Sequence, residues 1–144
     1  MGKKRIVKKG GGSVDQGLKA RSLSHVPKKK ITHALLHIQS TYNNTMVSLT
    51  DTEGNVLMWS SSGSLGFTGA KKGTPFAAAK IGELIAEKAQ LMGLKSVDAI
   101  VRGVGSGRES AIRAFIAKGI DVQSIKDKTP VPHNGPRAKK PRRI

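Results

Sequence analysis

The segment that most constrains the fold is residues 97–118, VDAIVRGVGSGRESAIRAFIAK. Residues 97–102 form a nearly continuous apolar run, which is typical of a buried strand. Ile112, Phe115 and Ile116 follow at helical spacing. The segment therefore predicts a strand, a glycine-rich turn and a helix.

The three glycines in this turn favour binding of an anionic oxygen. Gly103, Gly105 and Gly107 leave backbone amides unshielded where a strand leads into a helix N-terminus. Arg108 and Arg113 place positive charge beside them. We interpret the turn as a helix cap that also receives a nucleic-acid phosphate.

Two other interpretations use the same residues. A Gly-x-Gly pattern after a strand, with Asp127 downstream, is typical of a dinucleotide-binding motif, but Arg108 stands where a third glycine is required. Only 17 residues follow Asp127, too few for a second nucleotide-binding half. The second interpretation is a tight structural connection, in which Ser106 and Glu109 form a capping box and Glu109 pairs with Arg113.

Positive charge is concentrated at the two ends of the chain. The formal net charge is +17, of which +9 lies in residues 1–30, +5 in residues 130–144 and +3 in residues 31–129. We therefore predict a basic N-terminal arm that is disordered unless bound, a globular domain over residues 31–129 and a basic C-terminal tail. Four of the six prolines lie in the tail and favour an extended conformation.

Composition also bears on compartment and cofactors. No apolar run approaches the ~18–20 residues of a membrane-spanning helix, and no signal peptide is recognised. The chain has no cysteine, so neither disulfides nor thiolate metal sites are expected. We expect a cytoplasmic protein without a membrane partner, metal, cofactor or small-molecule substrate. An organellar transit peptide is the alternative for the N-terminal segment.

Short connections in the first half predict an antiparallel meander. His33 and His37 would lie about 13 Å apart on its first strand at ~3.3 Å per residue, too far to share one metal ion. Partly buried sheet residues are the better interpretation of both. The predicted strands cover residues 31–40, 46–49 and 56–59, with turns at 42–44 and 51–55.

The second half predicts helices that cover the sheet. Residues 60–74 form a glycine- and serine-rich loop without the P-loop pattern. Thr74 and Pro75 begin a helix that Gly93 ends. A final strand over residues 120–127 lies at a sheet edge, which gives an α/β sandwich with a mixed five-stranded sheet. The apolar face of the first helix comprises Ala78, Ile81, Ile85, Ala89 and Met92.

Four motifs occur in order along the chain: YNNT at 42–45, GFTGAKKGTPFAA at 66–78, GRESAIRA at 107–114 and TPVPHNG at 129–135. Together they resemble the universal ribosomal small-subunit protein eleven family over residues 31–144. The chain departs from bacterial relatives in its longer N-terminal arm and in Val104 and Ser106, where those relatives usually have prolines.

The resemblance implies a fold, a location and partners. The fold is a ribonuclease-H-like three-layer sandwich, and the location is the platform of the small ribosomal subunit near the mRNA exit. The partners are small-subunit rRNA and neighbouring ribosomal proteins. The implied RNA contacts are Asn43, Asn44, Lys71, Lys72, Gly103, Gly105, Gly107, Arg108, Arg113, His133, Asn134, Arg137, Lys139, Lys140, Arg142 and Arg143. Asn134 precedes Gly135 and is also a candidate isoaspartate site.

The residues give no support for catalysis. Nuclease activity on such a fold needs three or four carboxylates converging on metal ions, and the first predicted strand has none. We predict a non-enzymatic protein that recognises folded RNA by shape and phosphate position. A base-stacking sheet is not expected, because several of the five aromatics should be in the core. The alternative is a free DNA-compacting protein, since phosphate attraction is common to both nucleic acids.

Overall fold

The computed structural model describes residues 16–24 and 26–143, and these are organised around a mixed five-stranded sheet. The sheet order is β3-β2-β1-β4-β5. β1 pairs antiparallel with β2, and β2 with β3, whereas β4 runs parallel to both β1 and β5. The meander, the mixed sheet and the edge position of the last strand are therefore confirmed. The strands are β1 (His33–Ser40), β2 (Thr45–Thr50), β3 (Val56–Ser61), β4 (Ser96–Arg102) and β5 (Asp121–Asp127).

Helices of the described segments pack beside the sheet and against one another: α1 (Gln16–Leu23), α2 (Pro75–Leu91) and α3 (Gly107–Ala117). Helix α2 begins as predicted, because Thr74 Oγ1 accepts a hydrogen bond from the Ala77 amide at 3.3 Å. The five residues predicted for its apolar face are all buried. Among the described residues, no helix is long and apolar enough to cross a membrane.

Both long helices pack on the same face of the sheet. Ala34, Leu36 and Ile38 of β1 are buried in one cluster with residues of α2 and α3. The alternate residues of β1 point to the opposite face, because side chains of a strand alternate between faces. We call this opposite surface the open face; it comprises Leu35, His37, Gln39, Met46, Ser48, Trp59, Ile100 and Arg102.

The layer count differs from the expectation. A ribonuclease-H-like sandwich of three layers requires helices on both faces of the sheet. In residues 16–24 and 26–143 no helix covers the open face, and α1 contacts α2 on the helical side. The described part of the chain therefore forms two layers.

Helix α1 lies within the segment that the sequence predicts to be a disordered arm. Lys19 Nζ lies 3.6 Å from Glu87 Oε2 of α2. Val26 and Ile31 are partly buried against the core, so apolar contacts continue to the start of β1. Residues 1–15 of the arm lie outside the described residues, and disorder of the unbound arm stays a prediction.

The five aromatic residues divide between the core and the surface. Phe115 and Phe67 lie in the core. Tyr42, Trp59 and Phe76 expose 80%, 57% and 53% of their surface. Trp59 alternates with buried neighbours along β3 and therefore lies on the open face. Two of the five aromatics therefore serve the core, and three lie at the surface.

Candidate nucleic-acid interface

Segments distant in sequence meet at one edge of the sheet. The parallel strands β1, β4 and β5 all end there, and the loops that follow them contact one another. The amide of Gly105 donates to Ser40 O at 2.9 Å, and that of Gly103 donates to Thr129 Oγ1 at 3.1 Å. Ser106 Oγ donates to Gly73 O at 2.9 Å. We call residues 41–44, 69–74, 103–108 and Thr129 the motif edge.

Glycine is required in the turn after β4 because the backbone of β1 lies against it. Gly103 has φ +97°, and a Cβ placed on it would lie 2.1 Å from Ser40 O. A Cβ on Gly105 would lie 2.3 Å from Thr41 O. Both distances are far below van der Waals contact, so any larger residue would separate the two loops.

The amides of this turn were expected to be free to bind an anion, but two of them donate hydrogen bonds within the protein. Gly103 and Gly105 both use their N–H groups on protein acceptors. The inference that three free amides form an anion pocket is wrong for these two positions. RNA contact at the turn stays a prediction, and it must use other groups.

The predicted capping box does not form either. Ser106 has an αR backbone, and its hydroxyl makes no hydrogen bond to the first turn of α3 because it donates to Gly73 instead. The predicted pair at i,i+4 is confirmed, with Arg113 Nη2 3.0 Å from Glu109 Oε2. Both side chains of this pair are largely exposed, so it contributes little stability.

Arg108 connects the glycine turn to the end of β5. Its guanidinium donates to Gly103 O, to Thr129 Oγ1 and to the carboxylate of Asp127. Hydrogen bonds from Thr129 and then from Arg108 lower the pKa of Asp127 far below its usual range. Asp127 is therefore committed to the protein, which argues against the dinucleotide interpretation that gives it a ribose.

The turn after β1 presents polar groups at the motif edge. Tyr42 and Asn43 are exposed, and the amide of Thr41 donates to Asn44 O at 2.8 Å to close the turn. Asn44 is half-buried, and its Oδ1 is buried without a hydrogen-bond partner. Tyr42 is an exposed aromatic beside these groups, although it is not among the RNA contacts that the resemblance implies.

Lys71 and Lys72 lie on a short 3-10 helix, Gly69–Gly73, within the loop predicted at residues 60–74. Lys71 is exposed, whereas Lys72 is half-buried. The helix leads directly into the Thr74 cap of α2. The N-termini of α2 and α3 therefore lie side by side, and both direct the positive ends of their dipoles to the motif edge.

The tail leaves the body at the motif edge. Residues 130–143 contain neither helix nor strand, as the prolines predict, and Asn134 has φ +56°. Every residue from 131 to 143 is exposed. The seven predicted contacts of the tail are thus solvent-accessible: His133, Asn134, Arg137, Lys139, Lys140, Arg142 and Arg143.

The histidines of β1 have separate partners. His33 Nε2 lies 3.1 Å from Asp98 Oδ2, while His37 Nε2 lies 3.1 Å from Thr50 Oγ1. Hydrogen bonds from Ser124 and then His33 lower the pKa of Asp98. Among the residues that the structure describes, no group of three or more His, Asp or Glu side chains is placed to hold a metal ion.

These features define a basic α/β protein whose motifs, helix N-termini and cationic tail all meet at one edge. A comparison with protein families identifies the chain more closely, since the model of the family "Ribosomal protein S11" matches residues 34–143. The chain belongs to this family. It is a structural, non-enzymatic protein of the small ribosomal subunit that binds rRNA and functions in translation. Its partners are rRNA and other ribosomal proteins.

Proposed function

We propose that the chain binds small-subunit rRNA on the platform of the subunit, close to the path of the mRNA at its exit. Binding uses the motif edge together with the tail. The observation that carries this proposal is convergence. The four sequence motifs are scattered over residues 42–135, yet the glycine turn before the third motif is hydrogen-bonded to the end of β1, to Gly73 of the second motif and to Thr129 of the fourth. Such a surface can match one arrangement of phosphates.

We assign the residues of this surface two roles: some hold its loops in place, and others contact RNA. Gly103, Gly105, Gly107 and Arg108 hold the turn and thereby set the distance between loops. Charge from the paired helix N-termini attracts phosphate to that edge. The residues that reach RNA are Asn43, Asn44, Lys71 and Lys72 of the motif edge, Arg113 of α3, and the seven tail residues named above.

The fold and domain organisation follow the same proposal. We assign the sheet to the ribonuclease-H type because three antiparallel strands precede two parallel ones in the order β3-β2-β1-β4-β5. Residues 31–129 form the globular domain, which sets the position and orientation of the protein on the RNA. Residues 1–30 and 130–144 act as basic arms that enter between RNA helices.

Ultraviolet crosslinking in a native extract tests the proposal. Tagged protein is crosslinked, the attached nucleic acid is sequenced, and the complex is sedimented. We expect crosslinks confined to platform elements of small-subunit rRNA, in particles that sediment with that subunit. Scattered DNA crosslinks outside ribosomal particles would overturn the proposal and favour the DNA-compacting alternative.

A modification is proposed for the tail. Asn134 is exposed and precedes Gly135, whose missing side chain lets its backbone nitrogen approach the Asn amide. We expect isoaspartate at this position in aged protein, detected by peptide mass analysis with an isoaspartate-specific methyltransferase. A wholly unmodified aged sample would contradict it.

A further inference from the structure

The open face of the sheet contains a depression that the function described above does not use. Its volume is about 420 Å³, within the range of small-ligand sites. The turn between β2 and β3 forms one wall. The floor mixes apolar and polar side chains from three strands, among them Leu35, His37, Gln39, Met46, Ser48 and Arg102.

A continuous row of side chains crosses the open face through this depression. The row takes one residue from each strand, and each residue pairs in register with the next. From β3 to β5 these residues are Trp59, Ser48, His37, Ile100 and Lys126. Strands in a sheet lie about 4.8 Å apart, so the row extends over about 19 Å. It therefore joins an exposed indole ring at one end to an ammonium group at the other.

Positive charge dominates the β4 and β5 side of this face. Arg102 pairs in register with Gln39, and its Nε donates to Lys128 O at 3.4 Å. Burial, followed by the charges of Lys128 and Arg102, lowers the pKa of His37, so the ring is neutral at physiological pH.

The carboxylates near the open face already have partners. Asp98 accepts a hydrogen bond from Ser124 Oγ at 2.7 Å and lies beside His33. Glu53, in the wall of the depression, accepts from Asn55 Nδ2 at 3.3 Å. These neutral donors leave both carboxylates charged. Along β4 and β5, however, the cations Arg102, Lys126 and Lys128 outnumber Asp98, so an anionic partner is favoured on that side of the open face.

An exposed aromatic ring and neighbouring cations are the combination that unpaired RNA requires. Aromatic rings on a sheet stack bases, and cations neutralise the phosphates between them. An apolar protein partner would instead bury the charges of Arg102 and Lys126 without a counter-ion, which is costly.

We propose that the open face binds an unpaired segment of RNA. One base stacks on Trp59, the next enters the depression beside His37, and the phosphates contact Arg102 and Lys126. The proposal rests on the RNA-binding function above but assigns it a second surface, separate from the motif edge and the tail.

Trp59 is the single tryptophan of the chain and reports stacking directly. The full-length protein is titrated with a ten-nucleotide single-stranded RNA of mixed sequence, and indole fluorescence is recorded. Heparin of similar charge is the control, because it lacks bases. We expect saturable quenching by RNA and none by heparin. Unchanged fluorescence at saturating RNA would overturn the proposal.

Variants test the same contact by fluorescence anisotropy with the labelled RNA. Trp59→Ala and Arg102→Ala should each weaken binding by about fivefold or more, and Trp59→Phe should retain most of the affinity. Lys95→Ala is the matched control, since this exposed cation lies at the opposite end of β4, about 20 Å from Arg102. Urea unfolding verifies that each variant is folded.

The outcomes separate this surface from the proposed function. A protein with its tail cations neutralised should lose affinity for a folded rRNA fragment and still show quenching by the short RNA. Wild-type affinity of both Trp59→Ala and Arg102→Ala for the short RNA would overturn the open-face proposal. Intact binding of folded rRNA through the tail would leave the proposed function standing.

Discussion

The glycine turn and the tail are both rich in positive charge, but they use it differently. In the turn, Arg108 is bonded to Asp127, Thr129 and Gly103, and Arg113 is paired with Glu109. In the tail, by contrast, no ion pair of the described residues involves any of the five Lys and Arg side chains. The charge of Arg108 serves the fold here, whereas the charges of the tail are available to a partner.

This difference shows that a basic motif cannot be assigned to RNA from its composition alone. The turn is conformationally fixed by contacts with β1 and β5, so its substitution should alter stability first. The tail contributes no regular structure, so its substitution should alter affinity first. Four experiments test that separation.

The largest effect is expected from Gly103→Ala. An added Cβ would lie 2.1 Å from Ser40 O at φ +97°, so we expect a loss of about 3 kcal/mol or more in the free energy of unfolding. Gly93→Ala is the control, since its φ is +81° but nothing lies within 4 Å, and it should cost only about 1 kcal/mol. Urea denaturation measures both. Equal losses would mean that the contact with β1 is unimportant.

Neutralising the tail should give the next largest effect, on affinity alone. Replacement of its five Lys and Arg residues by Gln should weaken binding of folded rRNA about 100-fold and reduce the salt slope of log K by about 4. The free energy of unfolding should stay within about 0.5 kcal/mol of wild type. Filter binding at several salt concentrations measures the slope. An unchanged slope would contradict the assignment of the tail to phosphates.

Arg108→Ala and Arg113→Ala compare two arginines of the same helix. Arg108→Ala removes hydrogen bonds to Gly103 O and Thr129, so it should cost about 1–2 kcal/mol of stability. Arg113→Ala removes an exposed pair and should cost about 0.5 kcal/mol or less. Thermal unfolding distinguishes them. Equal stability of the two variants would show that the hydrogen bonds of Arg108 do not stabilise the fold.

The smallest effect concerns pH. The folded state lowers the pKa of Asp127 below the ordinary 3.8, so the associated stability is present above that pH and is lost as the pH falls through the folded pKa. Asp127→Asn should therefore be less stable than wild type at neutral pH and lose less stability between pH 4 and pH 2. Urea unfolding across this range provides the comparison. Parallel pH profiles would show that Asp127 does not contribute.

Much of the fold is predictable because local signals determine it. Thr74 and Pro75 identify the start of α2, and the spacing of Ala78, Ile81 and Ile85 identifies its buried face. Short turns determine the antiparallel pairing of β1, β2 and β3. These features depend on residues within a few positions of one another, so the sequence alone displays them.

The errors all concern contacts between distant segments. Ser106 satisfies the capping-box pattern, but Gly73, 33 positions earlier, accepts its hydrogen bond. The amides of the glycine turn are used by Ser40 and Thr129, which no local pattern connects to it. Likewise, the exposure of Trp59 depends on which face of the sheet the helices cover.

The parallel pairing of β1 with β4 also bears on how the chain reaches its native state. His33 meets Ser96, 63 positions later, so the central strand cannot gain its second neighbour until most of the domain has been synthesised. Closing such a long loop is entropically unfavourable and slows folding relative to local contacts. The motif edge includes Thr129, which follows all five strands, so it is completed only after this residue has been synthesised. A nascent chain that stops before this residue lacks the acceptor of the Gly103 amide, so its glycine turn is not yet fixed to the segment after β5.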